Sequence, residues 1–138
     1  MKKITSMEAL GRYLVVRYGA TPQETCWIIA VDTQLSIIDE VLVAKGTLNQ
    51  VGIHPRDVFR HLTAVNAYGF MMIHNHPSGH LDASAADLQV LRQFMACSEL
   101  MAIKFFDFLI IAASGYRSYR FSAHWKKIHL QSLLDNLD

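Results

Sequence analysis

Residues 71–87 read MMIHNHPSGHLDASAAD, a stretch that passes from an apolar strand through a turn into a helix. Side chains alternate along a strand, so His74 and His76 are predicted to point to the same side, about 7 Å apart at Cα. Pro77 cannot continue a central strand, and the Ser-Gly that follows it supplies a turn. The two imidazoles are therefore expected at a strand end, where two ring nitrogens can converge on one ion.

A serine and a carboxylate follow the turn. Ser84 and Asp87 form a Ser-x-x-Asp capping signal at the beginning of the next helix, and taken alone this pair is better explained as a cap than as a site. Capping and ligation are compatible, so Asp87 could complete a two-histidine, one-carboxylate set that leaves the fourth position of a zinc ion to water. His80 competes as a ligand, but its place in the loop gives it no fixed face.

The composition predicts one compact domain over residues 1–138. The chain has 13 basic and 12 acidic side chains, a formal net charge of +1, and 51% hydrophobic residues, which together exclude a disordered chain and a polybasic tail. A charge near zero also argues against nonspecific nucleic-acid binding. The two cysteines form no Cys-x-x-Cys motif, and neither a signal peptide nor a membrane span is predicted, so a reducing, cytoplasmic location is expected.

Hydrophobic periodicity predicts helices and strands in alternation, which indicates a mixed α/β (α+β) fold with a mixed sheet flanked by helices. The predicted helices cover residues 7–18, 55–67, 84–100 and 124–137, and the predicted strands cover residues 25–32, 35–44, 69–73, 103–112 and 116–121. No repeat, linker or low-complexity tract interrupts this order.

The spacing His74-x-His76, seven residues, Ser84, two residues, Asp87 resembles the JAMM (MPN+) metalloprotease signature. The context resembles the RadC-like branch of that superfamily through residues 46–48 (GTL), 54–59 (HPRDVF) and 74–79 (HNHPSG), and through Asp107 and Tyr116-x-Ser118. The resemblance covers about residues 24–121 and implies the JAB/MPN, cytidine-deaminase-like architecture. Family members are often longer, with an N-terminal helix-hairpin-helix region for which this chain has no room.

The resemblance implies a role for each site residue. His74, His76 and Asp87 would bind Zn²⁺, an upstream glutamate would take a proton from water, and Ser84 would donate a hydrogen bond to the developing oxyanion. Glu24, at the start of the first strand, is the favoured glutamate and Glu40 is the reserve. The sequence departs from the family where Ala83 replaces a proline, Leu91 a threonine and Phe108 a histidine, and a structural role is expected for the neighbouring Asp107.

The predicted function is a zinc-dependent hydrolase that cleaves a peptide or isopeptide bond of an unidentified substrate. The alternative is a noncatalytic or DNA-associated RadC-like DNA repair module, which the scattered Lys and Arg residues support weakly. The string His74-Asn75-His76 also suggests an HNH nuclease, but in those enzymes the named residues are dispersed rather than adjacent. No membrane partner is expected, and a homodimer through Trp125 or the Phe105/Phe106 pair is left open.

Overall fold

The chain forms four helices and five strands in the described residues, 1–49 and 52–137, of a computed structural model. The predicted mixed α/β fold is confirmed. In chain order the elements are α1 (Met7–Tyr18), β1 (Thr25–Val31), β2 (Ile37–Lys45), α2 (Pro55–Ala64), β3 (Gly69–Asn75), α3 (Ala85–Met101), β4 (Lys104–Ala112), β5 (Gly115–Ser118) and α4 (Leu130–Asp135).

The five strands form one mixed sheet in the order β2-β1-β3-β4-β5. The central strands β3 and β4 are parallel, and every other neighbouring pair is antiparallel. Parallel neighbours need a crossover connection, which α3 supplies. The loop between β3 and α3 therefore brings the end of β3 close to the beginning of α3.

Each face of the sheet carries its own core because strand side chains alternate. On the α2/α3 face, even-numbered residues such as Ile28 and Met72 pack with helices α2 and α3. On the α1 face, odd-numbered residues such as Ile29 and Ile73 pack against α1. His74 continues the even-numbered series of β3 and so belongs to the α2/α3 face.

Helix α1 packs closely on β5 at Gly11. Its N-cap is Ser6, whose hydroxyl accepts a hydrogen bond from Ala9 N–H at 3.0 Å, as the sequence predicts. A Cβ atom at Gly11 would overlap the ring of Tyr116, so this glycine is needed for close approach.

Gly11→Ala is therefore expected to lower the free energy of unfolding. Overpacking costs about 1–3 kcal/mol, and it opposes the gain of about 1 kcal/mol that Ala has over Gly in a helix. Because the overlap is with an aromatic ring, the upper end of the overpacking cost applies, and a net loss of about 2 kcal/mol is expected in urea denaturation. The Tyr116→Leu change should recover part of the loss in the double variant, and an unchanged or higher stability of Gly11→Ala would contradict the overlap.

Several predicted elements are shorter in the structure, among them β5, the last helix and α2, which ends at Ala64. Strand β5 ends at Ser118, and the next two N–H groups, of Tyr119 and Arg120, donate to the Asp107 carboxylate at 3.2 and 3.0 Å. Asp107 also accepts from Phe108 N–H, which agrees with its predicted structural role. The last helix covers only Leu130–Asp135, and a segment this short gains little from helix propensity alone.

A groove lies at the end of the sheet where β3 and β4 begin, opposite to the end that carries His74. It is lined by the start of β4, the C-terminal part of α3 and residues 120–128. Trp125 packs on Phe105 with ring centroids 5.0 Å apart, and the Arg120 guanidinium lies over the Trp125 ring. Among the described residues, no helix combines the length and the apolar character that a bilayer span requires.

Candidate metal centre

The two histidines of the His-x-His motif lie side by side at the end of β3. His74 is the penultimate residue of β3, and His76 is the first residue after the strand. The two residues are 1% and 9% exposed, and their ring centroids are 4.9 Å apart. The alternation argument is therefore confirmed, since both imidazoles point to the α2/α3 face.

Backbone carbonyls fix the tautomer of both imidazoles. His74 Nδ1 lies 2.9 Å from the carbonyl oxygen of Thr25, and His76 Nδ1 lies 2.7 Å from that of His80. A carbonyl oxygen only accepts, so each Nδ1 carries the proton and each Nε2 keeps its lone pair. Histidines that bind metals are commonly oriented in this way. His80, predicted as a competing ligand, thus contributes its backbone carbonyl to the orientation of His76.

Asp87 faces both free ring nitrogens. Its Oδ1 is 3.5 Å from His74 Nε2, and its Oδ2 is 3.2 Å from His76 Nε2. The same side chain completes a capping box, because Ser84 N–H donates to Oδ2 at 2.9 Å and Asp87 N–H donates to Ser84 Oγ at 3.0 Å. The capping interpretation is confirmed, and the cap itself holds the carboxylate against the histidines.

The electrostatics of the cluster follow from its burial. Burial lowers the pKa of His74, although Asp87 opposes this effect. The hydrogen bond with Asp87 raises the pKa of His76 despite its burial. Burial alone would raise the pKa of Asp87, but hydrogen bonds from His76 and Ser84 and the charge of His74 hold it below its usual value. The carboxylate is thus kept ionised in a buried setting that requires a proton or a cation beside it.

Of the two candidate glutamates, the structure brings only Glu24 to the histidines. Glu24, His74 and His76 offer ligand atoms that all lie within 4.8 Å of one another. Glu40 pairs in register with Ile29 and lies on the α1 face, where Tyr13 and Tyr18 donate to its carboxylate and Arg17 forms an ion pair with it. The reserve assignment of Glu40 is therefore wrong, because strand alternation places it on the other side of the sheet.

The donor set is suited to a divalent metal ion. The two Nε2 atoms converge with the carboxylates of Asp87 and Glu24, and with each Nδ1 protonated a neutral imidazole has no hydrogen atom between its Nε2 and Asp87. Such electron-rich atoms repel one another unless a proton or a cation is shared between them. Imidazole nitrogen and carboxylate oxygen are ligands that zinc and several other transition metals accept.

Comparison with protein families matches residues 4–124 to the RadC-like JAB domain. The chain belongs to the RadC-like JAB domain family. The match covers the whole sheet and every residue of the cluster, so the predicted resemblance is confirmed. The five-stranded mixed sheet flanked by helices is consistent with the JAB/MPN fold.

Several curated bacterial proteins are similar to this RadC-like JAB domain. A UPF0758 protein of Enterococcus faecalis is 34% identical over 118 residues, which are 86% of this chain and 51% of the relative. A UPF0758 protein of Latilactobacillus sakei is 33% identical over 117 residues, which are 85% of this chain and 52% of the relative. A UPF0758 protein of Thermotoga maritima is 36% identical over 98 residues, which are 71% of this chain and 44% of the relative. The chain thus spans about half the length of the relatives it matches.

Asn75, which lies between the two histidines, is a site residue that the sequence reasoning missed. In this RadC-like domain its Oδ1 accepts from Thr25 N–H at 2.7 Å and from the Thr25 hydroxyl, and its Nδ2 donates to the Gln23 carbonyl at 2.8 Å. The amide therefore fixes the backbone on both sides of Glu24. Because the Asn75 amide is hydrogen-bonded to the backbone, Asn75 does not join His74 and His76 in the way that an HNH nuclease site would require.

Replacing Asn75 by alanine should lower the free energy of unfolding by about 1–3 kcal/mol, because the Thr25 N–H is left buried without its acceptor. Urea denaturation measures the loss. Asn136→Ala is the matched control, since its amide lies at an exposed helix end and its loss should change stability by less than about 0.5 kcal/mol. If both substitutions change the free energy of unfolding equally, the buried Asn75 contacts do not stabilise the fold more than an exposed amide does.

Cys26 also lies beside the histidines without joining the donor set. It pairs in register with His74 and is 1% exposed. Burial and the neighbouring Asp87 raise the pKa of its thiol, so the sulfur stays protonated. Among the described residues, the ligand atoms that lie within 4.8 Å of one another belong to Glu24, His74 and His76 and not to Cys26, so the donors are nitrogen and oxygen atoms.

Proposed function

We propose that this RadC-like JAB domain is a zinc-dependent hydrolase that cleaves a peptide or isopeptide bond. The observation that carries the proposal is the convergence of His74 Nε2, His76 Nε2 and the Asp87 carboxylate, with Glu24 beside them. Such a set of three protein ligands leaves a position open for water or substrate, as in catalytic zinc sites and unlike closed structural ones.

His74, His76 and Asp87 would hold the zinc ion. Asp87 suits the role of third ligand because it is 2% exposed, ionised and within 3.5 Å of both free ring nitrogens. Glu24 is only partly buried, so its carboxylate keeps access to solvent. When bound, zinc would lower the pKa of a water molecule to near neutrality and polarise the carbonyl of the substrate.

The remaining chemistry falls to Glu24 and Ser84. The Glu24 carboxylate accepts a proton from the attacking water as the new C–O bond forms, and it delivers this proton to the leaving nitrogen as the C–N bond breaks. The products are a carboxylic acid and an amine. Ser84 Oγ accepts the capping hydrogen bond with a lone pair, so its O–H hydrogen remains available to donate to the developing oxyanion.

The first test is the zinc content of the purified protein. Elemental analysis should give one zinc per chain after reconstitution and dialysis, and His74→Ala should remove it. A chain without stoichiometric zinc, or a His74→Ala variant with unchanged metal uptake, would overturn the proposal.

The second test is hydrolysis. Zinc-loaded protein is incubated with a panel of fluorogenic peptide and isopeptide amides, and cleavage should be stopped by a chelator and restored by zinc. Stoichiometric zinc without cleavage of either bond type would favour a noncatalytic module. Tight, salt-sensitive DNA binding in a gel-shift assay of the same sample would favour the DNA-associated alternative.

A further inference from the structure

The loop between β3 and α3 must hold Asp87 in place although it has little packing of its own. Each of residues 77–84 is at least partly exposed, and of these Leu81 and Ala83 pack partly against the core. Yet immediately after this loop the Asp87 oxygens lie within 3.5 Å of both histidine rings. A loop without a core of its own needs anchors elsewhere to keep such a position.

A buried tyrosine hydroxyl supplies such an anchor. Tyr119 is 1% exposed and its hydroxyl makes two hydrogen bonds with the loop backbone. The hydroxyl accepts from Ala83 N–H at 2.7 Å and donates to the Leu81 carbonyl at 2.9 Å. These contacts join residues 36 and 38 positions apart in the sequence.

Tyr119 is itself held on three sides. Its N–H donates to the Phe108 carbonyl at 3.0 Å and to Asp107 Oδ1 at 3.2 Å. Its ring packs edge-on against Phe108, and the Arg117 guanidinium lies over it, 4.7 Å from the centroid. The hydroxyl is thus a fixed point of the core rather than a mobile surface group.

The anchored backbone leads directly into the capping box. Ala83 precedes Ser84, the N-cap residue, and Ser84 is joined to Asp87 by two reciprocal hydrogen bonds. A shift at Ala83 would therefore be passed to the Asp87 carboxylate. The ion pair of Arg117 with Asp82 also joins β5 to the loop, but both side chains are exposed and such pairs contribute little.

We infer that Tyr119 is a positioning residue of the metal centre, whose hydroxyl fixes Ser84 and Asp87 against the histidine pair. The inference rests on the proposed function in so far as Asp87 binds zinc. Tyr119 acts on the metal centre through its hydrogen bonds with the loop backbone. The anchor depends on the N–H group of residue 83, which a proline at that position would lack.

Tyr119→Phe tests the inference because it keeps the ring and removes only the hydroxyl. Zinc affinity, measured by competition with a chromophoric chelator, should fall about 10- to 100-fold, as is typical when an orienting partner of a ligand is lost. Tyr116→Phe is the matched control, since Tyr116 lies on β5 only three positions before Tyr119 but packs on the α1 face. This control should change the affinity by less than about fivefold.

Amide hydrogen exchange of the metal-free proteins gives a second measurement that does not depend on zinc. In Tyr119→Phe the amides of residues 81–87 should exchange at least tenfold faster, while those of β1 and β3 keep their wild-type rates. Faster exchange throughout the chain would indicate a merely structural role and would overturn the inference. Unchanged zinc affinity, with or without faster local exchange, would also overturn it.

The two measurements separate this inference from the proposed function. If the wild-type chain binds no zinc, the proposed function fails and the exchange rates alone decide whether the hydroxyl fixes the loop. If the wild-type chain binds zinc and Tyr119→Phe binds it equally well, the proposed function stands and the inference fails.

Discussion

Asp87→Asn is expected to remove stoichiometric zinc binding while leaving the fold in place. The amide oxygen of asparagine can still accept the hydrogen bond from Ser84 N–H, so the cap of α3 is largely kept. The negative charge between the two ring nitrogens is lost, and an amide oxygen is a poor ligand for zinc. The affinity should therefore fall by more than the roughly 100-fold that marks the loss of an orienting partner.

Asp82→Asn is the control for this experiment. Asp82 lies in the same loop, but its carboxylate is exposed and bonded to Arg117. The zinc affinity of the Asp82→Asn variant should stay within about fivefold of wild type. Zinc bound with wild-type affinity by Asp87→Asn would exclude Asp87 as a ligand and leave Glu24 as the third member of the set.

Glu24→Gln is expected to separate metal binding from turnover. Glutamine has nearly the same shape but cannot take a proton, so zinc should remain bound while the rate of hydrolysis falls about 10²- to 10⁴-fold. The rate is measured as kcat/KM on whichever amide substrate the zinc-loaded wild type cleaves. A parallel zinc determination on the same sample shows that the loss does not come from an empty site.

Glu40→Gln is the matched control for Glu24→Gln. Its carboxylate accepts from two tyrosines and pairs with Arg17 on the far face of the sheet, so its loss should lower stability without changing kcat/KM. Similar losses of activity in both variants would point to a common folding defect. Full activity of Glu24→Gln would exclude Glu24 as the proton carrier.

Local sequence rules were sufficient for the histidine pair and for the cap. Alternation along β3 places His74 and His76 on one side, and the Ser-x-x-Asp spacing places Asp87 in the first turn of α3. These features depend on backbone geometry within a few residues, which a sequence encodes directly. The same alternation shows why Glu24 reaches the cluster, since it stands two positions before Cys26 on the same face.

Features that depend on distant contacts were not predicted. Asn75 binds backbone about 50 positions earlier, and Tyr119 binds a loop almost 40 positions earlier, so no local pattern reveals either role. The face occupied by Glu40 depends on the register of β2 against β1, which contains bulges. Beyond β5, the N–H groups of Tyr119 and Arg120 donate to the Asp107 carboxylate, a contact with a residue more than ten positions earlier that no local pattern predicts.

The groove at the opposite end of the sheet offers a place for chemical labelling. Phe121 lies there and is 89% exposed, so a cysteine introduced at this position would be open to a maleimide dye. Cys26 is buried with a raised thiol pKa and should not react, and replacing Cys97 by serine removes the other thiol. A single dye would then report tumbling, self-association or surface attachment from the side of the molecule remote from His74.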